Sequence, residues 1–361
     1  MYSFWGIDMQ KSMEDYLDIQ NKFAKGIKNL FNIEDTASDK TPKELIYTED
    51  KMKLYHYKPL VKNPCKVPTL IVYALVNRQY MMDIQQDRSV IKSFLKQGLD
   101  VYIIDWGYPT QEDMYLTMDD YINGYINNAV DYIRESTKVD QLNILGVCQG
   151  GTFSTIYSAI YPEKIKNLVT MVTPIDFDVE EGLLFKWGKY LNIDNMVDTY
   201  GVLPGALMNS GYLMLKPFQL MLDKYVNLFE NIDQRELVEN FMRMEKWIFD
   251  SPGQAGETLR QFVKDLYQEN KLVKGSLKVG DKKVDLKNIN MPVLNIYAEY
   301  DHLVSPDSSK ALNDLISSKD KELCSFPVGH IGMYVSSKSQ KQMSPKVAKW
   351  LIDRSDETNK K

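Results

Sequence analysis

The sequence predicts an α/β fold with a mostly parallel, doubly wound sheet and an inserted, largely helical cap. In the first half, short apolar runs alternate with segments of helical periodicity, as in a parallel sheet covered by helices. This rhythm stops at Pro174 and returns after Asn290, so the sheet is interrupted by an insertion. The chain has 361 residues, which is long for one core but suits one core plus a cap.

The predicted elements follow in order from a helical arm. Apolar residues between Met13 and Phe31 recur at near-helical spacing, so residues 1–40 are predicted as an N-terminal arm and linker. The arm either packs on its own domain, which we favour, or offers a docking face for another subunit. Runs of β-branched and apolar residues predict strands at 54–57, 69–73, 101–105, 142–145, 167–172, 292–297 and 323–327. Helical periodicity predicts helices at 88–96, 118–136 and 151–161.

The catalytic domain is predicted to cover residues 41–361, with the cap insertion at about 176–288. Aromatic residues and methionines supply the apolar faces of this insertion, which shows no strong strand pattern before residue 272. Residues 277–284 are predicted as a small hairpin with Gly280-Asp281 as its turn. Such a cap could keep water away from a reaction intermediate.

The most specific motif is Gly146-Val147-Cys148-Gln149-Gly150, a nucleophile elbow with cysteine in the usual place of serine. An apolar strand precedes it and a helix follows it, which is the context that the motif requires. The glycines permit the tight turn, and the helix N-terminus favours a thiolate at Cys148. The alternative is an inert, buried cysteine in a turn.

Two further residues support a catalytic role for Cys148. Asp301 and His330 each follow an apolar run later in the chain, and the chain has only three histidines. The order nucleophile, acid, histidine is that of α/β-hydrolases. The oxyanion hole is predicted to use the backbone N–H of Gln149 and that of Leu75, with the N–H of Val76 as the alternative second donor.

Composition excludes several classes of function. The net charge of −5, with both signs interspersed, argues against nucleic acid as a partner. Three cysteines give no disulfide framework and fit a reducing cytoplasm. No metal-ligand spacing or phosphate-binding loop occurs, and we expect no metal, no signal peptide and no integral membrane segment.

The elbow and several other segments together resemble those of polyhydroxyalkanoate synthases, from about Thr41 to Trp350. The resemblance rests on residues 73–78 (YALVNR), 105–107 (DWG), 246–250 (KWIFD), 301–304 (DHLV) and 329–331 (GHI). It implies an α/β-hydrolase fold, with Cys148 as nucleophile, His330 as general base and Asp301 as the acidic member. Residues 121–126 and Gln149 are similar to class III, whose catalytic subunit works with a helical E-type subunit. Class IV is the nearest alternative.

The resemblance also implies the reaction. The substrate would be an (R)-3-hydroxyacyl-CoA, of which 3-hydroxybutyryl-CoA is the expected short-chain case, and the product a growing polyester chain. A thiolate that attacks a thioester forms another thioester, so the acyl group stays activated, which gives cysteine a chemical reason to replace serine. No cofactor is expected, because the substrate carries the coenzyme A. An oligomer at the surface of a cytoplasmic polyester granule is the expected setting.

Two other functions use the same features. A cysteine hydrolase, either a thioesterase or a polyester depolymerase, would share the triad and transfer the acyl group to water. A non-catalytic scaffold would have no need of all three residues. Side chains with weaker claims to a role are His302, Trp106, Arg78, Lys186 and Lys189, which could contact substrate or coenzyme A, and His56, Cys65 and Cys324, which we expect to be structural.

Overall fold

The computed structural model describes Asp18, Lys22 and Lys25 and then residues 41–355 without a break. These residues belong to two compact units. The larger unit comprises residues 39–208 and 250–361, and the smaller comprises 209–249 together with 1–38. The arm predicted over residues 1–40 lies almost wholly outside the described residues, so the predicted domain boundaries stay a prediction.

The larger unit is built on an eight-stranded sheet in the order β1-β2-β6-β3-β7-β8-β13-β14. Five neighbouring pairs, from β6–β3 to β13–β14, are parallel. The two remaining pairs, β1–β2 and β2–β6, are antiparallel. In chain order the strands are β1 (Lys43–Glu49), β2 (Met52–Tyr57), β3 (Thr69–Val72), β4 (Asp83–Gln85), β5 (Arg88–Ser89), β6 (Val101–Asp105), β7 (Leu142–Val147), β8 (Ile165–Met171), β9 (Val202–Leu203), β10 (Gln254–Ala255), β11 (Lys278–Val279), β12 (Lys282–Lys283), β13 (Val293–Ala298) and β14 (Lys321–Phe326).

Helices connect the strands, and three of the helical stretches contain π-helical turns. The α-helices are α1 (Val90–Gln97), α2 (Asn127–Thr137), α3 (Gln149–Ile160), α4 (Leu183–Tyr190), α5 (Ile193–Tyr200), α6 (Gly205–Met214), α7 (Lys224–Glu230), α8 (Arg235–Phe249), α9 (Gly256–Gln261), α10 (Pro306–Lys310), α11 (Leu312–Leu315), α12 (Gly332–Val335) and α13 (Ser337–Ser355). The π-helical stretches are Asp120–Ile126, Phe218–Asp223 and Phe262–Gln268.

The central strands are buried along their whole length and mostly apolar, because both faces of the sheet are covered. Every residue of β3, β6 and β7 is buried, which is the pattern of parallel strands between two helical layers. The predicted α/β fold with a mostly parallel sheet is therefore confirmed. The strand β1 lies outside the predicted strands, because none of its residues is fully buried and its short apolar segment, residues 45–47, is flanked by polar and charged residues.

A row of buried polar side chains crosses the middle of the sheet. Asn167 on β8 donates its amide to the amide oxygen of Asn143 on β7 at 2.7 Å, and these two residues are register partners. Thr170 on β8 donates its hydroxyl to the amide oxygen of its own register partner, Asn295 on β13, at 2.9 Å. All four side chains are fully buried, and these hydrogen bonds replace ones lost to water, except at the amide oxygen of Asn167, which has no partner among the described residues.

The insertion, predicted as largely helical with no strong strand before residue 272, also contains a two-stranded ribbon. The strand β10 pairs antiparallel with β9, with Gln254 opposite Leu203. Both strands of this ribbon belong to the larger unit. The predicted hairpin at 277–284 is present as β11 and β12, joined at Gly280-Asp281.

The smaller unit has its own packing in its described residues. On α7, the Tyr225 hydroxyl donates to Glu245 of α8 at 2.8 Å, and the amine of Lys224 lies 2.7 Å from the same carboxylate. The ring of Tyr225 meets that of Phe241 edge-on at 5.5 Å.

Across the described part of the chain, no helix is both long enough and apolar enough to cross a membrane.

Candidate active site

Cys148 stands in the sharp turn between the central strand β7 and the helix α3. Its backbone adopts φ 53° and ψ −124°, a conformation that side chains other than glycine rarely take. Close packing forces this turn: a Cβ on Gly150 would lie 2.3 Å from the Val72 carbonyl oxygen, and one on Gly151 would overlap Thr173. The glycines of the motif therefore let α3 begin directly after the nucleophile, against the end of β3.

Asp301 and His330 meet beside this turn, from the loops after β13 and β14. Nδ1–H of His330 donates to one carboxylate oxygen of Asp301 at 2.7 Å. The other oxygen of Asp301 accepts the backbone N–H groups of Leu303 at 2.9 Å and Val304 at 3.0 Å. The side chains of His330 and Asp301 are only 6% and 1% exposed. Asp301 is thus fixed by three donors and holds one tautomer and orientation of the imidazole.

The charge balance around His330 favours its protonated form. Burial lowers the pKa of His330, but the negative charges of Asp301 and Cys148 and the hydrogen bonds to both raise it, with a net rise from 6.5 to about 10. Because Nδ1 is engaged by Asp301, Nε2 is the ring nitrogen left for Cys148. The three side chains that the sequence predicted as a triad are therefore brought together in space.

The two predicted oxyanion donors differ in their surroundings. Gln149 is the first residue of α3, where a backbone N–H has no acceptor within its own helix. The N–H of Leu75, in contrast, donates to the side-chain oxygen of Gln149 at 3.2 Å. The role of Leu75 as a donor stays a prediction, and in this structure its N–H is already engaged.

Two buried tyrosines complete the surroundings of the candidate triad, and the sequence analysis did not single them out. The ring of Tyr334, on α12, lies edge-on to His330 at 6.2 Å and to Tyr73 at 6.4 Å. Burial, and then nearby negative charge that includes Cys148, raises the pKa of each phenol well above 10. Both hydroxyls therefore stay protonated at neutral pH and give the site apolar walls with polar tips.

Several other residues considered in the sequence have structural partners. His56 lies 2.7 Å from Asp100 and stacks on Tyr102. Cys65, Cys148 and Cys324 are not joined by disulfide bonds. The Trp106 indole donates to the Tyr73 carbonyl at 2.9 Å. Pairing with acids also holds two of the cations proposed for coenzyme A, because Arg78 binds Asp105 at 2.8 Å and Lys189 binds Asp178 at 2.6 Å. Lys186 is exposed, and a role for it or for His302 stays untested.

No cluster of metal-ligating side chains occurs among residues 41–355 and the three described residues before them. The groups gathered at this site are a thiol, an imidazole and backbone N–H groups. These are the groups of nucleophilic acyl transfer.

Comparison with known proteins agrees with this geometry. Residues 70–336 match the family model of the alpha/beta hydrolase fold, and residues 8–94 match that of the poly-beta-hydroxybutyrate polymerase (PhaC) N-terminus. The chain is 55% identical to the poly(3-hydroxyalkanoate) polymerase subunit PhaC of Thiocystis violacea, over 96% of this chain and 98% of that protein. The chain belongs to the PhaC family of poly(3-hydroxyalkanoate) polymerases. It is also 50% identical to the PhaC subunit of Synechocystis, over 97% of this chain and 95% of that one.

Membership of the PhaC family confirms the predicted class of enzyme, an acyltransferase, and the family to which the motifs pointed. Solved structures confirm the fold alone. The monoacylglycerol lipase of Paleococcus ferrophilus superposes with a TM-score of 0.51 at 14% identity, covering 83% of this chain and 99% of the lipase. The thioesterase domain from the curacin biosynthetic pathway gives 0.50 at 12% identity, covering 87% of this chain and all of that domain.

Proposed function

We propose that this PhaC chain polymerises (R)-3-hydroxyacyl groups from coenzyme A thioesters, through a thioester on Cys148. The observation that carries the proposal is the Cys148–His330–Asp301 arrangement at the elbow, with the imidazole held at 2.7 Å by a buried carboxylate. In a lipase the corresponding nucleophile is serine, and an oxygen ester would lose the activation of the incoming thioester. Cysteine keeps it.

Acylation begins with the Cys148 sulfur attacking the thioester carbonyl carbon. The new carbon–sulfur bond converts the carbonyl oxygen to an oxyanion, which the N–H of Gln149 and one N–H of the Leu75–Val76 turn are positioned to receive. The tetrahedral species collapses by breaking the bond to coenzyme A. The imidazolium of His330 gives its proton to the departing thiolate, so free coenzyme A leaves and His330 becomes neutral.

Elongation reverses the role of His330. The neutral imidazole takes the proton of a 3-hydroxyl group as that oxygen attacks the acyl thioester on Cys148. An ester bond forms, and the Cys148 sulfur leaves as a thiolate beside the imidazolium that has just formed. One thiolate charge and one proton are thereby restored for the next cycle. Acylation removes the negative charge of Cys148, which is one of the causes that raise the pKa of His330.

Asp301 acts through His330 in this scheme and does not activate the hydroxyl directly. Both of its carboxylate oxygens are occupied, one by the imidazole and one by the N–H groups of Leu303 and Val304. Its side chain is 1% exposed, which leaves no open side for a substrate hydroxyl. Of the two roles that the sequence left open, the geometry favours the orienting one.

Substrate size, class and setting extend the proposal. The family model of the N-terminal region is named for poly-beta-hydroxybutyrate, which favours a 3-hydroxybutyryl substrate. Relatives that match over nearly their whole length are named subunits, which supports a two-subunit enzyme. The similarity of residues 121–126 and of Gln149 to class III supports an E-type helical partner, with class IV as the alternative. We place the oligomer at the surface of a cytoplasmic polyester granule, with no cofactor beyond the coenzyme A of the substrate.

The direct test supplies the purified chain with (R)-3-hydroxybutyryl-CoA and measures coenzyme A release together with polymer. Polymer that accounts for the released coenzyme A supports the proposal, whereas stoichiometric free 3-hydroxybutyrate would identify a cysteine hydrolase. Cys148→Ala should abolish both products. Competition with six- and eight-carbon hydroxyacyl thioesters would measure the preference for chain length.

The partner is tested in the same assay. An added E-type subunit should relieve a lag or a low initial rate of the isolated chain. If the apolar residues of the N-terminal arm form a docking face, Phe23→Glu with Ile27→Glu should weaken the complex without lowering the thermal stability of the isolated chain. A variant that unfolds early by itself would show that the arm packs on its own domain. Full activity of the isolated chain with no lag would contradict the two-subunit proposal.

A further inference from the structure

The end of strand β3 is held by the side-chain amides of two glutamines. Gln149 accepts the N–H of Leu75 at 3.2 Å through its amide oxygen. On the other side of the same residue, the amide nitrogen of Gln254 donates to the Leu75 carbonyl at 2.8 Å. Gln149 and Gln254 are 7% and 3% exposed, so these bonds form with little competition from water. Both backbone polar groups of Leu75 are therefore engaged by side chains.

The next N–H along the chain is in a different position. Val76 is half-buried in the turn beyond β3, and its N–H makes no hydrogen bond to another described residue. It belongs to the same peptide unit as the Leu75 carbonyl. No peptide bond in the described residues is cis. In a planar trans peptide the C=O and N–H point in opposite directions, so a bond that fixes one fixes the direction of the other.

We propose that the Val76 N–H is the second oxyanion donor and that Gln254 is the residue that positions it. The bond from Gln254 to the Leu75 carbonyl sets the plane of the Leu75–Val76 peptide and aims the Val76 N–H away from Gln254. The bond between Leu75 and Gln149 holds the preceding peptide, and it ties the turn to the elbow residue whose own N–H is the first donor. This inference rests on the acyl-transfer chemistry of the proposed function.

The backbone of Gln254 is itself well anchored. It lies on β10, paired with Leu203 of β9. Beside it, Ser251 accepts the side-chain amide of Asn77 at 2.6 Å. Asp250 accepts the hydroxyls of Tyr80 at 2.9 Å and Tyr108 at 2.5 Å. Residues 250–254 and the turn after β3 thus form one hydrogen-bonded body, which suits a group that must hold a donor still during the reaction.

The test compares two reactions of the same sulfur. Acylation of Cys148 passes through an oxyanion, whereas alkylation by iodoacetamide is a direct displacement at carbon and develops no charge on a carbonyl held in the hole. Gln254→Met keeps the length of the side chain and removes the donor. We expect it to slow single-turnover acylation about tenfold or more. Alkylation should stay within about twofold of the wild-type rate, because the thiol and imidazole are untouched.

The control is Gln141→Met, which removes a comparable bond from a glutamine amide to a backbone carbonyl, that of Glu163, at 3.1 Å. It should leave the ratio of acylation to alkylation unchanged. Gln254→Glu adds a rescue arm. A carboxylate cannot donate to the Leu75 carbonyl but a neutral carboxyl group can, so the ratio should recover as the pH is lowered below the pKa of that group. Since the ratio cancels changes in thiol ionisation, this recovery would not follow from a merely structural role.

Three results would overturn the inference. Equal losses of acylation and alkylation in Gln254→Met would show a general disturbance of the site, and no loss of acylation would show that Gln254 positions nothing. Faster acylation in Gln149→Met would show that the Leu75 N–H is the donor and that Gln149 masks it. Acylation is followed with p-nitrophenyl butyrate as well as the coenzyme A thioester. A chain that is acylated by the ester but forms no polymer would refute the proposed function and still report on the hole.

Discussion

Replacing Asp301 with asparagine should collapse the charged state of His330. The substitution keeps the shape of the side chain but removes its charge. In the native chain the pKa of His330 is raised from 6.5 to about 10 although burial opposes the charge. Each pKa unit corresponds to about 1.4 kcal/mol, so the folded site favours the imidazolium by about 5 kcal/mol relative to a histidine with the ordinary pKa.

Without the Asp301 charge, we expect the pKa of His330 to fall to about its ordinary value, because burial, the largest single influence, is then opposed only by the charge and the hydrogen bond of Cys148. At pH 7.5 the protonated fraction would fall from nearly all molecules to about one tenth. Less proton would be available for the departing coenzyme A, and the imidazole would no longer be held in one tautomer. Acylation at this pH should therefore fall by a factor on the order of 100 to 10,000.

Carbon-13 labelling of histidine gives a direct measurement, because the chain has only three histidines and their ring resonances can be followed separately. The matched control is Asp100→Asn. Asp100 lies 2.7 Å from His56, the same distance as between Asp301 and His330, but His56 is on β2 and Asp100 directly precedes β6. That substitution should leave the His330 titration unchanged. A His330 resonance that still titrates near pH 10 in Asp301→Asn would refute the argument that Asp301 maintains the charge.

Three further outcomes are expected. His330 has a folded-state pKa above its unfolded value, so its stabilising contribution should be complete below about pH 6.5 and be lost as the pH rises through about 10; urea unfolding at several pH values should show the excess stability of the wild type over His330→Gln shrinking across that window. Cys148→Gly should have a free energy of unfolding about 1 kcal/mol or more above that of Cys148→Ala, because glycine relieves the backbone strain at φ 53°. Equal denaturant midpoints for the two variants would show that the turn is unstrained. Gly150→Ala should destabilise the fold by several kcal/mol because its Cβ would lie 2.3 Å from a carbonyl oxygen, whereas Gly124→Ala, whose Cβ meets nothing within 4 Å, should be neutral or stabilising by up to about 1 kcal/mol in thermal unfolding.

The sequence was sufficient for those parts of the site that are marked by local chemistry. Glycines at fixed offsets from Cys148 identify the elbow, and Asp301 and His330 each follow an apolar run in the sequence. Helix boundaries were close where a cap defines them: α1 begins after Ser89, whose hydroxyl accepts the Lys92 N–H at 2.8 Å. The sequence predicts that α1 begins at residue 88, two residues before its observed start. It predicts that α3 begins at residue 151, two residues after its observed start, because the glycines after Cys148 have low helix propensity.

What the sequence could not supply depends on long-range contacts. Gln254 lies in a strand of two residues inside a region of helical pattern, and its partner Leu75 is 179 residues away. A strand of two residues shows no periodic pattern in the sequence, so nothing local identifies Gln254 as a neighbour of the elbow. The same holds for Tyr334, whose contact with Tyr73 arises only when the ends of β3 and β14 are brought together.

The row of buried amides across the sheet has a consequence for the distance between Cys148 and Asp301. Parallel strands with wholly apolar sequences could slide past one another by two residues, about 7 Å, and still bury the same faces. Asn143 lies five positions before Cys148, and Asn295 lies six before Asp301. A slip would separate Asn143 from Asn167 and Thr170 from Asn295, leaving buried polar groups unpaired at about 1–3 kcal/mol each. These polar side chains in the middle of the sheet therefore fix the register of the strands, and with it the position of Cys148 relative to Asp301.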